Sequence, residues 1–221
     1  MPRAKPPAPT LVLLVRHGQT PTTGAVLPGR APGLHLADAG TAQAAKVAER
    51  IGALHSGGSA KRRIAAVYAS PLERTRETAA PIAKACGTRV RIDKGLLECD
   101  FGEWTGAELK ALMKLPEWTT VQRNPSSFRF PGGESFPEMQ VRITSAIARL
   151  CERHRGETVV AVSHADHIKA AAAAALGTHL DLFQRVVVSP CSVTAIAYGA
   201  GGPVVLAVNS TGDDLSRLVP S

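Results

Sequence analysis

Arg16-His17-Gly18 places an imidazole between a guanidinium and a residue with no side chain. An imidazole can attack phosphorus, an adjacent guanidinium can bind two phosphoryl oxygens in a fork, and glycine lets the backbone come close to a ligand. A second histidine stands at Ser163-His164, and residues 69 to 79, Ala-Ser-Pro-Leu-Glu-Arg-Thr-Arg-Glu-Thr-Ala, offer further guanidiniums. On residue type alone Arg74 and Arg76 are equally eligible, and either could pair with Glu73 or Glu77 on an exposed helix face. For His17 the plain alternative is a core histidine satisfied by backbone. If the fold brings the two histidines together, the chemistry they define is phosphoryl transfer.

The elements that would do this are legible around them. Leu11 to Val15 and Thr158 to Val162 are apolar runs that break at Arg16-His17-Gly18 and Ser163-His164. Buried parallel strands deliver polar residues in this way to the C-terminal edge of a sheet, where open α/β sheets bind ligands. Ile64 to Ala69 is a further strand, and Ser70 is expected to cap the next helix, with Pro71 in its first turn and its end near Cys86-Gly87. Pro21 to Gly40 reads as a long Gly- and Pro-rich loop, with Asp38 as the expected N-cap of a helix carrying Ala44, Ala45, Ala48, Ile51 and Leu54. Val90 to Ile92 is a short strand. Glu134 to His154 has helical spacing at Met139, Ile143, Ile147 and Leu150. Ile168 to Leu176 is an alanine-rich helix. Val186 to Val188, Val193 to Tyr198 and Val204 to Val208 are β-like, the last two forming a hairpin whose edge is available for a homodimer. Strands alternating with helices predict an α/β fold of three layers, α/β/α, with a mainly parallel central sheet and helices on both faces.

Bulk properties narrow the function classes. The 221 residues suit a single domain over residues 11–221, after a flexible leader over residues 1–10 with four prolines in its first nine positions. A chain 44% hydrophobic and 20% charged is not disordered throughout. The apolar run at Leu11 to Val15 is too short for a membrane span or a signal-peptide core, so a cytoplasmic protein is expected. Cys86, Cys99, Cys151 and Cys191 are widely separated and lack metal-ligand spacing, which reads as unpaired thiols in a reducing compartment, with no metal and no cofactor. A net charge of +8 attracts anions of any kind. The tightest basic cluster, Lys61-Arg62-Arg63, has no interleaved aromatics, which argues against nucleic acid and for a solvated turn before a strand. The expected partner is a small phosphorylated metabolite.

Five ordered motifs together give the chain a resemblance to the histidine phosphatase superfamily, the phosphoglycerate mutase-like family, over about Leu11 to Val208. They are Leu-Val-Arg-His-Gly-Gln-Thr at 14 to 20, Ser-Pro-Leu-Glu-Arg-Thr at 70 to 75, Leu-Leu-Glu-Cys-Asp-Phe-Gly-Glu-Trp-Thr-Gly at 96 to 106, Pro-Gly-Gly-Glu-Ser at 131 to 135, and Val-Ser-His-Ala at 162 to 165. The resemblance implies a phosphoglycerate mutase-like fold, His17 as a transiently phosphorylated nucleophile, and Arg16, Arg74 and a protonated His164 as the phosphate pocket. It also implies Glu98 as proton donor to the leaving group, a role for which residue type alone does not separate Glu98 from Glu103. Many members carry an asparagine six residues after the nucleophile, where this chain has Thr23, a hydroxyl donor of different reach. The family's common Ser-His-Gly-Gly-x-Ile-Arg appears as Ser-His-Ala-Asp-His-Ile-Lys, so Ala165 still offers a backbone N–H to phosphate. Asp166 is expected to cap the following helix or to orient His164, and His167 to be structural or exposed.

The resemblance implies a metal-independent phosphomonoesterase of the histidine acid phosphatase type. Mutases of the family share the nucleophile but carry a longer insert before the second histidine, whereas Gly106 to Pro131 is short here, so hydrolysis is favoured over the mutase alternative. A non-catalytic phosphate- or nucleic-acid-binding module is the alternative of another class. The presence of every catalytic position argues against it.

Overall fold

The structure is a computed structural model and describes residues 8–57 and 63–212. Successive side chains of a strand point to opposite faces, and in β1 (Thr10–Arg16) both sets are apolar and buried. Leu11, Leu13 and Val15 pack on one side with Val67, Val160 and Val162, while Val12 and Leu14 pack on the other with Tyr68, Val159 and Ala161. A sheet apolar on both faces needs a layer over each. Helices α1 (Asp38–Ser56) and α2 (Glu73–Ala85) cover the first face through Val47, Ile51, Ala79 and Ile82. Helices α5 (Phe136–Arg153) and α6 (Ala165–Ala175) cover the second through Met139, Ile143, Ile147 and Ile168. Between α2 and α5 the chain forms the short helices α3 (Leu109–Leu112) and α4 (Glu117–Arg123).

The sheet has six strands in the order β3-β2-β4-β1-β5-β6, where β2 is Ile64–Ala69, β3 Val90–Ile92, β4 Thr158–Ser163, β5 Val193–Gly199 and β6 Gly202–Ser210. Strands β1 to β4 are parallel, β5 runs antiparallel to β1, and β6 completes the hairpin at one edge. The expected three-layer, mainly parallel architecture is therefore present. Register is what matters for the site: Arg16 pairs with Ser163 and Ala69 with Val162, so β1, β4 and β2 end at the same level.

Several local expectations are corrected. Asp38 is the first helical residue of α1 and Ala37 the N-cap, because the Ala37 N–H is tied to Gln19 O at 3.0 Å and fixes the entry one residue earlier. Helix α2 starts at Glu73 after an extended Leu72, and the Ser70 hydroxyl does not cap it but meets His164 Nε2 at 2.9 Å. The N-cap of α6 is His164; Asp166 lies inside the first turn and pairs with Lys169 at 3.3 Å. Val186 to Val188 form no strand, since they run across the sheet's C-terminal edge and pair with no ladder. Strand β1 takes in Thr10, whose Oγ1 donates to His154 O at 3.0 Å, so the expected leader is shorter than drawn; its residues 1–7, like Lys61 and Arg62, lie outside the described residues. All four cysteines are free thiols. No helix among the described residues is long and apolar enough to cross a membrane.

Candidate active site

Three strand ends build the floor. The His17 N–H donates to Ser163 O at 3.0 Å and the Ser70 N–H to Val162 O at 3.0 Å, which carries the ladder one step past the sheet and sets His17, His164 and Ser70 side by side. The two imidazole centroids are 5.2 Å apart. His17 Nδ1 lies 2.8 Å from Gly18 O. A carbonyl only accepts, so Nδ1 carries the proton and Nε2 keeps its lone pair. Burial, followed by the charge of Arg74, presses the His17 pKa down to about 3, and the ring is neutral at ordinary pH.

Gly18 is required for packing rather than for access to a ligand, since its N–H is held by Thr78 Oγ1 at 3.0 Å. A Cβ on Gly18 would stand 2.5 Å from Gly40 O, and a Cβ on Gly40 would stand 2.0 Å from Gln19 O. The loop after β1 and the first turn of α1 touch backbone to backbone.

Arg74 is fully buried and Arg16 half-buried, and each guanidinium is anchored at one corner. Arg16 Nη1 donates to Val188 O at 2.7 Å and Arg74 Nη2 to Gly29 O at 2.8 Å. Arg16 Nε, Arg74 Nε and Arg74 Nη1 are buried with no hydrogen-bond partner among the described residues. Burial lowers the pKa of both side chains, with Glu98 opposing. An arginine still stays charged at such a site. Between Arg74 and Arg76 the fold decides, because Arg74 has no exposed surface and Arg76 faces solvent.

Glu98 enters from the opposite wall, and Glu103 is exposed. Its carboxylate accepts from Cys99 N–H at 2.9 Å and lies 3.6 Å from His164 Nδ1 and 3.5 Å from His167 Nδ1. Burial raises its pKa, but His164, His167 and Arg74 together outweigh that and hold it below the ordinary carboxylate range. Burial holds His164 well below its ordinary value, and the Glu98 carboxylate opposes that shift. Behind the carboxylate, Arg30 Nε and Arg142 Nη2 donate to Glu98 O at 2.8 and 3.2 Å, and Glu134 bridges both guanidiniums at 3.0 and 2.7 Å. This brace explains two motifs. Gly102, at φ +51°, lies against Pro131 O, where a Cβ would stand at 2.0 Å, and the Glu134 N–H donates to Asp100 O at 2.9 Å. Phe101, Trp104, Phe128 and Phe130 seal the junction, with centroids 4.9 to 5.5 Å apart.

A cleft of about 450 Å³ opens above this floor. Arg16, His17, Thr23, Glu98 and Ala165 line it, while Arg74 and His164 are fully buried residues. Ala165 is the first residue of α6 and carries one of the N–H groups that a helix start leaves without an intrahelical partner. Thr23 Oγ1 accepts from Thr20 N–H at 2.8 Å, which shapes the loop as well as facing the cleft. Arg30, the cation of the Pro21 to Gly40 loop, is turned into the brace. Sequence reasoning missed Thr78, the role of Arg142 and the contact of Ser70 with His164; His167, expected to be structural or exposed, is fully buried and lies against Glu98. The i, i+3 spacing from His164 was the available signal. Among the described residues no group of three or more His, Cys, Asp or Glu is placed to hold a metal ion.

Fold and site together define an anion pocket built around two histidines at the C-terminal edge of a three-layer α/β sheet. The chain belongs to the histidine phosphatase superfamily (branch 1), whose family model matches residues 12–211. It is 39% identical over 161 residues to an uncharacterised protein of Mycobacterium tuberculosis, covering 72% of this chain and 74% of that one. It is 30% identical over 205 residues to phosphoserine phosphatase 1 of Hydrogenobacter thermophilus, covering 90% and 92%. In fold it matches a phosphoserine phosphatase mutant of Entamoeba histolytica in complex with phosphoserine, with a TM-score of 0.80 and 24% identity over 92% of this chain and 98% of that one.

Proposed function

We propose that the chain is a metal-independent phosphomonoester hydrolase acting on a small phosphorylated metabolite through a phosphohistidine on His17. The observation that carries this is the set of unpartnered buried donors, Arg16 Nε and Arg74 Nε and Nη1, in the pocket of a neutral His17 whose Nε2 lone pair is unused. Buried donors without acceptors are costly, and a phosphoryl group supplies the oxygens to satisfy them.

In the first step His17 Nε2 attacks phosphorus as the ester oxygen departs, while Arg16, Arg74, His164 and the Ala165 N–H hold the equatorial oxygens. Thr23 would contribute a hydroxyl from the loop. Glu98 gives its proton to the leaving oxygen. It is ionised without substrate, and an incoming dianion offsets the field of Arg74 and raises its pKa, so the substrate itself favours loading the acid. In the second step water attacks the phosphohistidine, Glu98 takes the water's proton, and inorganic phosphate leaves. The two guanidiniums supply the positive charge that a metal ion supplies in other phosphoryl-transfer enzymes.

The test is rapid quenching at alkaline pH, where a phosphoramidate bond survives, during turnover of a ³²P-labelled phosphomonoester in EDTA. Label is expected on the peptide containing Arg16-His17-Gly18, with free phosphate as product, and His17→Ala should lose both. Label on the His164 peptide with an active His17→Ala variant would reverse the two roles. Phosphate passed to a sugar acid instead of water would identify a mutase, and binding with no turnover a recognition module.

A further inference from the structure

Arg16, Arg74 and the histidines account for the phosphoryl end of the cleft and leave its outer end, which must receive the leaving group, unassigned. Loop 22–28, helices α3 and α4 and the segment 186–188 form that end, with Val26, Leu27, Leu109, Trp118, Val121 and Val186 on its walls. Apart from Arg16, His17 and Glu98, the only ionisable side chains among the described residues that line the cleft are Asp166 and Lys169. They are committed to each other at 3.3 Å, and Lys169 Nζ also donates to Gln184 Oε1 at 3.0 Å and stands 5.9 Å from the Phe183 ring centroid. Among the described residues the outer end therefore offers no uncommitted cation. Gln122 and Thr22 supply neutral hydrogen-bonding groups.

We propose that the outer cleft selects phosphomonoesters whose leaving group is uncharged and has an apolar face, such as an aryl or branched alkyl alcohol, over those whose leaving group carries a carboxylate. The inference rests on the phosphohydrolase reading of the same site. A carboxylate there would give up water against apolar walls and meet Asp166 and Glu98, while Lys169 is already neutralised. An aromatic or aliphatic body loses nothing by desolvation and gains the faces of Trp118 and the valines. Phosphoserine, the ligand of a structural neighbour, belongs to the disfavoured class.

Binding and turnover separate this inference from the reading beneath it. Phenylphosphonate and 4-carboxyphenylphosphonate, which cannot be hydrolysed, would be compared by calorimetry, and phenyl phosphate and 4-carboxyphenyl phosphate by phosphate release. The carboxylated phosphonate should bind about tenfold or more weaker. Asp166→Asn, which frees Lys169, should narrow that gap to about threefold or less by providing the missing cation. Equal or tighter binding of the carboxylated ligand, no binding of phenylphosphonate, or an unchanged gap in a folded Asp166→Asn protein would overturn the proposal. The wild-type comparison decides alone if the variant does not fold. A preserved binding preference with no phosphate release would instead defeat the hydrolase reading and leave the selectivity standing.

Discussion

On the proposed mechanism Glu98 has to be neutral when the ester oxygen leaves and ionised when water attacks, yet its surroundings favour one state strongly. Arg74, His164 and His167 hold it ionised. The cost of protonating it must then come from the substrate dianion, and that cost weighs most where the leaving group needs a proton badly. Glu98→Gln should therefore keep phosphate binding and lose most turnover of an alkyl phosphate, by about a hundredfold or more, while an aryl phosphate with an acidic phenol loses far less. Parallel steady-state kinetics on the two esters check this. Equal losses in a folded variant would remove Glu98 from the leaving-group step.

Where the loop after β1 crosses α1, two glycines let two backbones meet, and the contact fixes how far His17 projects. Gly40→Ala puts a methyl 2.0 Å from Gln19 O, so one of the two segments must move. We expect a loss of about 1–3 kcal/mol in stability, as for overpacked cores. Turnover should fall further than stability explains, because the displaced segment adjoins His17, the proposed nucleophile. Thermal melts and kcat of the folded fraction test it, and an unchanged kcat would show that the crossing does not position His17. This contact was not legible in the sequence: Gly40 reads as the end of a loop, and nothing local indicates that it opposes Gly18. The strand ends were legible, because an apolar run that stops at a histidine encodes both the strand and the delivery of its last residue. His17, His164, Arg16, Arg74 and Glu98 were all named, and the fold sets Arg16, His17 and Glu98 on the cleft wall and leaves Arg74 and His164 fully buried. Contacts made across the fold were harder. Ser70 looked like a helix cap because hydroxyls usually serve that role before helices, and its real partner, His164, comes from a distant strand. Val186 to Val188 looked like a strand because β-branched residues suit any buried wall, and here the wall is a cleft.

The molecule as a whole carries a pH signature from its buried imidazoles. An unfolded histidine titrates near 6.5, whereas His17 in the fold titrates near 3, so the folded state favours the neutral form. The stabilisation tied to that preference is complete above about pH 6.5 and is lost as pH falls toward 3, where the unfolded chain binds a proton that the native site refuses. His164 acts in the same direction. The loss should reach on the order of a few kcal/mol, visible as a falling urea midpoint between pH 7 and 4.5. The fall should be shallower in His17→Ala, and parallel slopes in the two proteins would contradict the assignment. The strand order has a consequence in time. Strand β4 lies between β1 and β2 but leaves the ribosome after both, so neither early strand has its inner neighbour until most of the chain has been synthesised. Until then two apolar edges stay open to wrong pairing, the situation in which nascent chains rely on chaperones. His164 arrives with β4, and the 186–188 wall that anchors Arg16 and the strands β5 and β6 arrive later still, so the pocket is assembled only when the sheet is nearly whole. On the proposed mechanism, activity thus becomes a reporter of finished folding, and partly made chains would be silent toward phosphate esters.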